Sequence, residues 1–166
     1  MRKPIQLLFA VLLLVASAGT SLAQEEPQFI TVEEFERVIN FNAGLATIAK
    51  LVNEQAYDQI DIERFFILEG AVASTQIFDP NPETFQAVIE LVASEWIGLE
   101  EIEVYHVYVL VEGPEYADRV FERLPRDPGP EVIRTNQELV VVGPFIGVSP
   151  HEQAGEVAVI AAVALR

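Results

Sequence analysis

The sequence predicts an α+β, mainly β, fold in which an N-terminal helical segment precedes a small five-stranded β-barrel. Three observations support this fold class. Apolar residues recur at helical spacing over a long stretch before residue 56. From residue 64 onward, β-branched and aromatic runs alternate with breaks rich in Gly and Pro. Apolar residues make up 51% of the chain, which is enough for a core and excludes general disorder.

Residues 1–23 have the three parts of a secretory signal. Basic residues at 2–3 precede an apolar run over 5–18, and Ser21 and Ala23 supply small side chains before a cut. The run is shorter than the about 20 residues that cross a bilayer. We therefore expect a bacterial-type signal, cleavage after Ala23 and a periplasmic or secreted protein. The alternative is an uncleaved anchor helix.

The composition limits the possible partners and chemistry. The formal net charge is −16, and residues 79–112 contain no Lys or Arg. Binding a nucleic-acid backbone requires basic side chains that displace counterions, so we expect no nucleic-acid partner. We also expect no membrane span after signal cleavage. The absence of Cys excludes disulfides, thiolate metal sites and a Cys nucleophile.

The segment 24–63 is predicted to be an N-terminal helical extension. Thr31 and Glu34 have the spacing of a capping box, which marks a helix start. Apolar residues then recur at helical spacing to about residue 55, and residues 40–44 are predicted to break the segment into two helices. Its apolar face requires a partner surface, which the domain over residues 64–166 or another chain can supply.

The first two barrel strands are assigned with unequal clarity. Residues 64–78 are predicted to form one long strand bent at Gly70, where a missing side chain permits a sharp coil. Residues 83–96 fit both helical spacing and the two-residue period of a strand. Strand neighbours on both sides favour a strand. The alternative is an unrelated α+β domain in which residues 82–97 are helical.

The rest of the chain supplies three more strands. Residues 101–112 are β-branched and aromatic almost throughout. Residues 115–124 are predicted to form a short amphipathic helix. Strands over 139–148, interrupted by Gly143 and Pro144, and over 156–165 follow.

This order of three strands, a helix and two strands, with a Gly in the long first strand, resembles the OB-fold, a five-stranded Greek-key barrel. The resemblance covers residues 64–166 and rests on element order, without a signature of any specific family. It implies a ligand face on the second and third strands, over residues 85–96 and 102–112. The loops at 79–83 and 149–155 would frame that face.

Four side chains of that predicted face are candidate ligand-binding residues: Trp96, Tyr105, His106 and Tyr108. Core packing is the alternative for the aromatic residues. His106 and His151, which lies in the predicted turn at 149–155, suit a general base or a metal ligand. Because no pair of histidines has the spacing of a metal motif, we predict neither a metal nor a cofactor.

A second candidate is a cluster of arginines. Four of the chain's basic residues lie within a short stretch: Arg119, Arg123, Arg126 and Arg134. Arginine suits bidentate contacts with carboxylate or phosphate, so this patch is predicted to hold an anionic ligand or an acidic partner segment. Ion pairs with neighbouring acids of the same chain are the alternative.

The sequence contains no nucleophile motif and no nucleotide-binding loop, so no catalytic residue is assigned. We therefore predict an exported, non-enzymatic binding module of the cell envelope or exterior, whose ligand is a protein, peptide, glycan or small molecule. One alternative is a structural or assembly subunit of the envelope that self-associates through the N-terminal helix and residues 157–165. A carboxylate-dependent hydrolase is the other.

Overall fold

The computed structural model describes residues 31–166, so the predicted signal at 1–23 lies outside the described residues. The two helices are α1 (Val32–Val38) and α2 (Leu45–Asn53). The strands are β1 (Ile39–Asn40), β2 (Phe65–Asp79), β3 (Gln86–Ile97), β4 (Glu101–Glu112), β5 (Glu138–His151), β6 (Gly155–Ala161) and β7 (Ala164–Leu165). In this part of the chain, no helix is long and apolar enough to cross a membrane.

Strands β2 to β6 form the predicted barrel. Their order is β2-β3-β4-β6-β5, and a further pairing of β2 with β5 closes the ring. Neighbouring strands are antiparallel except for β4 and β6, which are parallel. This is the strand arrangement of an OB-fold, so the predicted fold is confirmed.

The long strand β2 serves both sides of the ring. Its residues 65–71 pair with β5, and its residues 71–79 pair with β3. Gly70 lies where the partner changes, and a Cβ there would approach the Val92 carbonyl oxygen to 2.8 Å and Leu45 Cδ1 to 2.9 Å. The bend predicted at Gly70 therefore depends on a missing side chain.

The ambiguous segment forms β3, so the alternative with residues 82–97 helical is wrong. Ala87, Ile89 and Leu91 are fully buried in the barrel, and the residues between them face outward. The two-residue period therefore decides the structure, because strands on both sides supply backbone partners for the segment.

The N-terminal segment divides as predicted. The capping box of Thr31 and Glu34 starts α1, which buries none of its residues. In contrast, α2 buries Leu45, Ile48 and Val52 in the core, where it packs against β2, β3, β4 and β6.

The helix predicted over residues 115–124 does not form. A single 3₁₀ turn at Pro114–Tyr116 is followed by irregular chain, although Tyr116 and Val120 are buried. A short helix depends on tertiary packing, and here Tyr116 and Val120 reach the core from the 3₁₀ turn and the irregular chain that follows it.

Candidate functional site

The outer face of β3 and β4 carries a group of polar side chains. Along β3, Ile89 and Leu91 are buried in the barrel, so the two-residue period turns Glu90 outward between them. On β4 the same alternation turns His106 and Tyr108 outward, and Tyr108 lies opposite Glu90 in the register. These are the second and third barrel strands, on which the OB-fold resemblance placed the ligand face.

The hairpin of β5 and β6 brings a second histidine to this face. His151 ends β5 and pairs with Gly155, whose φ of +79° suits the turn because glycine adopts left-handed conformations readily. The His151 ring centroid lies 4.6 Å from that of His106 and 5.8 Å from that of Tyr108. The hairpin tip therefore contacts the face, and we call Glu90, His106 and His151 the Glu90 cluster.

The Glu90 carboxylate is the centre of this cluster. Its Oε1 atom lies 2.8 Å from Nδ1 of His106 and 3.1 Å from Nε2 of His151. Its Oε2 atom accepts a hydrogen bond of 2.7 Å from the Ser74 hydroxyl on β2. One carboxylate thus connects three strands and the hairpin tip.

The hydrogen bonds assign the tautomers of both rings. The backbone N–H groups of Gln153 and Ala154 donate to His151 Nδ1, at 3.2 and 3.0 Å. A nitrogen that accepts carries no proton, so the neutral His151 ring bears its proton on Nε2 and donates it to Glu90. His106 donates to the same oxygen through Nδ1.

The cluster is shielded from water. The side chains of Glu90, His106 and His151 are 14%, 15% and 10% exposed. Burial raises the pKa of the Glu90 carboxyl, but the hydrogen bonds from Ser74 and the two histidines outweigh it and hold this pKa below its ordinary value. Glu90 is therefore ionised at neutral pH.

The donor set of the cluster suits a metal ion. The ligand atoms of the three side chains lie within 4.8 Å of one another, and no other such group of three occurs among residues 31–166. Two imidazole nitrogens and one carboxylate oxygen are ligands that Zn²⁺ and similar ions accept. A coordinating nitrogen must first lose its proton, which for His151 moves the ring proton to Nδ1. The turn at residues 152–154 would then lose its two hydrogen bonds to this ring.

Of the four predicted face residues, the structure brings only His106 and Tyr108 to the cluster. Tyr105 is 1% exposed in the core, and its hydroxyl donates to Glu103. Trp96 is 70% exposed near the far end of β3, opposite Ile102.

The predicted arginine patch lies apart from the cluster. Arg119, Arg123, Arg126 and Arg134 all lie in the connector between β4 and β5, at residues 113–137. Arg119 lies over the Tyr116 ring at 5.6 Å, and Arg134 donates to the Pro128 carbonyl. Over the described range, none of the four forms an ion pair with a carboxylate within 4 Å.

Sequence reasoning missed Glu90 and Ser74. Glu90 is one of 26 acidic residues and belongs to no motif. One feature of the sequence could have indicated Glu90: it lies between apolar residues of the predicted strand 83–96, and the next predicted strand carries His106, one of only two histidines in the chain.

No protein-family model and no curated protein matches the chain. Among solved structures, it is similar to PriB from Ralstonia solanacearum, at 13% identity over 61% of this chain and 94% of that chain, with a TM-score of 0.37. It is also similar to a small single-stranded DNA-binding protein from Streptomyces coelicolor, at 14% identity over 61% of this chain and 89% of that chain, with a TM-score of 0.37. It is similar as well to Plasmodium falciparum SSB in complex with ssDNA, at 12% identity over 61% of this chain and 89% of that chain, with a TM-score of 0.40.

These similarities contradict several sequence predictions. An exported envelope binding module without a nucleic-acid partner was predicted, whereas two of these proteins are named for binding single-stranded DNA. The predicted periplasmic or secreted location belonged to the same prediction of an exported module and is corrected with it. We withdraw these predictions. The nucleic-acid prediction relied on the net charge and on the absence of Lys and Arg from residues 79–112, and the location prediction relied on residues outside the described range.

Proposed function

We propose that this protein binds a divalent transition-metal ion on Glu90, His106 and His151. The observation that carries the proposal is the convergence of three ligand atoms, from β3, β4 and the β5–β6 hairpin, within 4.8 Å. His106 and His151 are far apart in the chain, so the fold alone brings them together.

The ligand types favour ions such as Zn²⁺, Ni²⁺ or Cu²⁺ over Ca²⁺ or Mg²⁺. Imidazole nitrogen binds the transition metals well, whereas Ca²⁺ and Mg²⁺ prefer sites made of oxygen atoms alone. Three protein ligands leave a position of a four-coordinate ion for water or another ligand. The ion would act there as a Lewis acid, lowering the pKa of a bound water molecule.

The surroundings of the cluster support the same proposal. Ser74 donates to the carboxylate oxygen that does not face the histidines, which fixes the orientation of Glu90. Hydrogen bonds of this kind orient metal ligands in many proteins. The limited exposure of the three side chains reduces competition from water.

The test is a calorimetric titration of the full chain with Zn²⁺ and, separately, with Ca²⁺ near neutral pH. We expect one Zn²⁺ per chain. His106→Gln and His151→Gln are each expected to weaken binding about 100-fold, because glutamine can keep a hydrogen bond to Glu90 but is a poor ligand for Zn²⁺. Glu69→Gln, an exposed change elsewhere on the barrel, is the matched control and is expected to leave the affinity unchanged.

The competing explanation is that the three side chains form only a hydrogen-bonded network. In that case Zn²⁺ would bind weakly, with Ca²⁺ competing for the same acidic surface, and the histidine variants would bind it as well as the original chain. Either that result or the absence of Zn²⁺ binding would overturn the proposal.

A further inference from the structure

The hairpin of β3 and β4 extends beyond the barrel as a two-stranded ribbon, residues 93–106. Pairing of β3 with β2 ends at Val92, and pairing of β4 with β6 begins at Val107. Between these points the two strands pair only with each other within the described chain. The ribbon therefore has two edges whose backbone groups make no ladder with a further strand.

The ribbon exposes large apolar side chains. Trp96 is 70% exposed and lies opposite Ile102, which is 50% exposed. Val104, on the same face, is 49% exposed, and Leu99 in the turn is 95% exposed. Exposed apolar side chains that lie next to one another on a projecting element are typical of an interaction site.

The base of the ribbon is held in place by α2. Lys50 on that helix forms a 2.8 Å ion pair with Glu95, and its ammonium lies 4.9 Å from the centre of the Tyr105 ring. Tyr105 itself is buried in the core. A free two-stranded hairpin is marginally stable in water, so this anchoring presents the ribbon edges in a defined conformation.

The charge of the ribbon indicates what it binds. It contains no Lys or Arg and four acidic residues: Glu95, Glu100, Glu101 and Glu103. Pairing the same edge of two copies would bring like charges together, which destabilises a ladder. Charge complementarity instead favours a strand in which Lys or Arg alternates with apolar residues.

We propose that the free edge of β4, residues 101–104, binds an extended segment of a partner protein in which basic and apolar residues alternate. Backbone hydrogen bonds along the edge would supply affinity, as in other cases of strand addition. Basic side chains of the segment would lie near Glu101 and Glu103, and its apolar side chains would cover Ile102 and Val104. This inference does not depend on metal binding.

The probe is a synthetic peptide in which Lys and Val alternate over about ten residues, the length of a long strand. A peptide with the same composition, but with its lysines in one block and its valines in another, controls for net charge. Binding to the ¹⁵N-labelled full chain is followed by amide shifts and by the fluorescence of Trp96, the only tryptophan. We expect the alternating peptide to shift the amides of residues 101–104 and to bind about tenfold more tightly than the block peptide.

Two double variants distinguish an effect of the ribbon's own charges from an effect of the protein's net charge. Glu100→Gln with Glu101→Gln removes two charges from the ribbon, and Glu63→Gln with Glu69→Gln removes two exposed charges elsewhere. The first pair is expected to weaken peptide binding about threefold to tenfold, and the second to have a much smaller effect. Equal effects of the two pairs, equal binding of the two peptides, or a dimer of the chain formed through this edge would overturn the proposal.

Discussion

Gly143 occupies a position in which the fold has no room for a side chain. It lies on β5, opposite Phe66 of β2, and a Cβ built there would overlap the Ala161 carbonyl oxygen. The obstacle is backbone, which cannot move aside as a flexible side chain does. The close approach of β5 to the end of β6 therefore requires glycine at this position.

We expect Gly143→Ala to lower the free energy of unfolding by about 2–4 kcal/mol, because the added methyl group forces the two strands apart. Gly129→Ala is the matched control, since a Cβ at that position meets nothing within 4 Å. Urea denaturation of both variants measures the difference. Equal stability of the two would contradict the packing described for β5 and β6.

At the scale of elements, the His151 side chain links the tip of the β5–β6 hairpin to the β3–β4 face, beyond the end of the ladder between β4 and β6. His151 accepts two hydrogen bonds from its own turn and donates one to Glu90. Both ring nitrogens are therefore engaged, one with each element. A change in the proton position on this ring must affect the turn and the face together.

Zn²⁺ binding at Nε2 of His151 is accordingly expected to change the turn. The ring proton would move to Nδ1, so the N–H groups of Gln153 and Ala154 would lose their acceptor. We predict large shifts of these two amide signals on addition of Zn²⁺ to the ¹⁵N-labelled full chain, together with faster exchange with solvent. Amides of the Arg119–Arg134 connector serve as the internal reference. Unchanged Gln153 and Ala154 signals in a Zn²⁺-saturated sample would show that His151 is not a ligand through Nε2.

Local patterns in the sequence predicted much of the fold. The capping box at Thr31 marks the start of α1, and the Gly70 bend lies where β2 changes partners. The helix expected over residues 115–124 did not form, and Tyr116 and Val120 reach the core from a 3₁₀ turn and irregular chain instead. The stability of a short helix depends on tertiary packing, about which local spacing carries no information.

The candidate site was less predictable, for a related reason. The sequence identified His106 and His151 as candidate functional residues. Their proximity, however, arises from the parallel pairing of β4 with β6 and from the tip of the β5–β6 hairpin. Glu90 was not a candidate, because one acidic residue among many belongs to no distinctive sequence pattern. Its role follows only from the register that places it between Ser74 and His106.

The whole molecule carries an excess of negative charge that few cations offset. The formal net charge is −16 over 166 residues. Within residues 31–166, only two ion pairs join a Lys or Arg to a carboxylate, Lys50 with Glu95 and Arg64 with Asp61, and both are partly exposed. Exposed pairs contribute little to stability, whereas repulsion among the excess carboxylates acts across the entire surface.

We therefore expect added salt to stabilise the protein. Raising NaCl from about 10 mM to about 150 mM shortens the screening length from roughly 30 Å to roughly 8 Å, which weakens repulsion between distant carboxylates more than attraction within the two close pairs. The Tm measured by calorimetry should rise over this range. A chain in which Glu100, Glu101, Glu63 and Glu69 are replaced by Gln should show a smaller rise, because less repulsion remains to be screened. A fall in Tm with salt would instead mean that attractive ion pairs dominate the electrostatic contribution to folding.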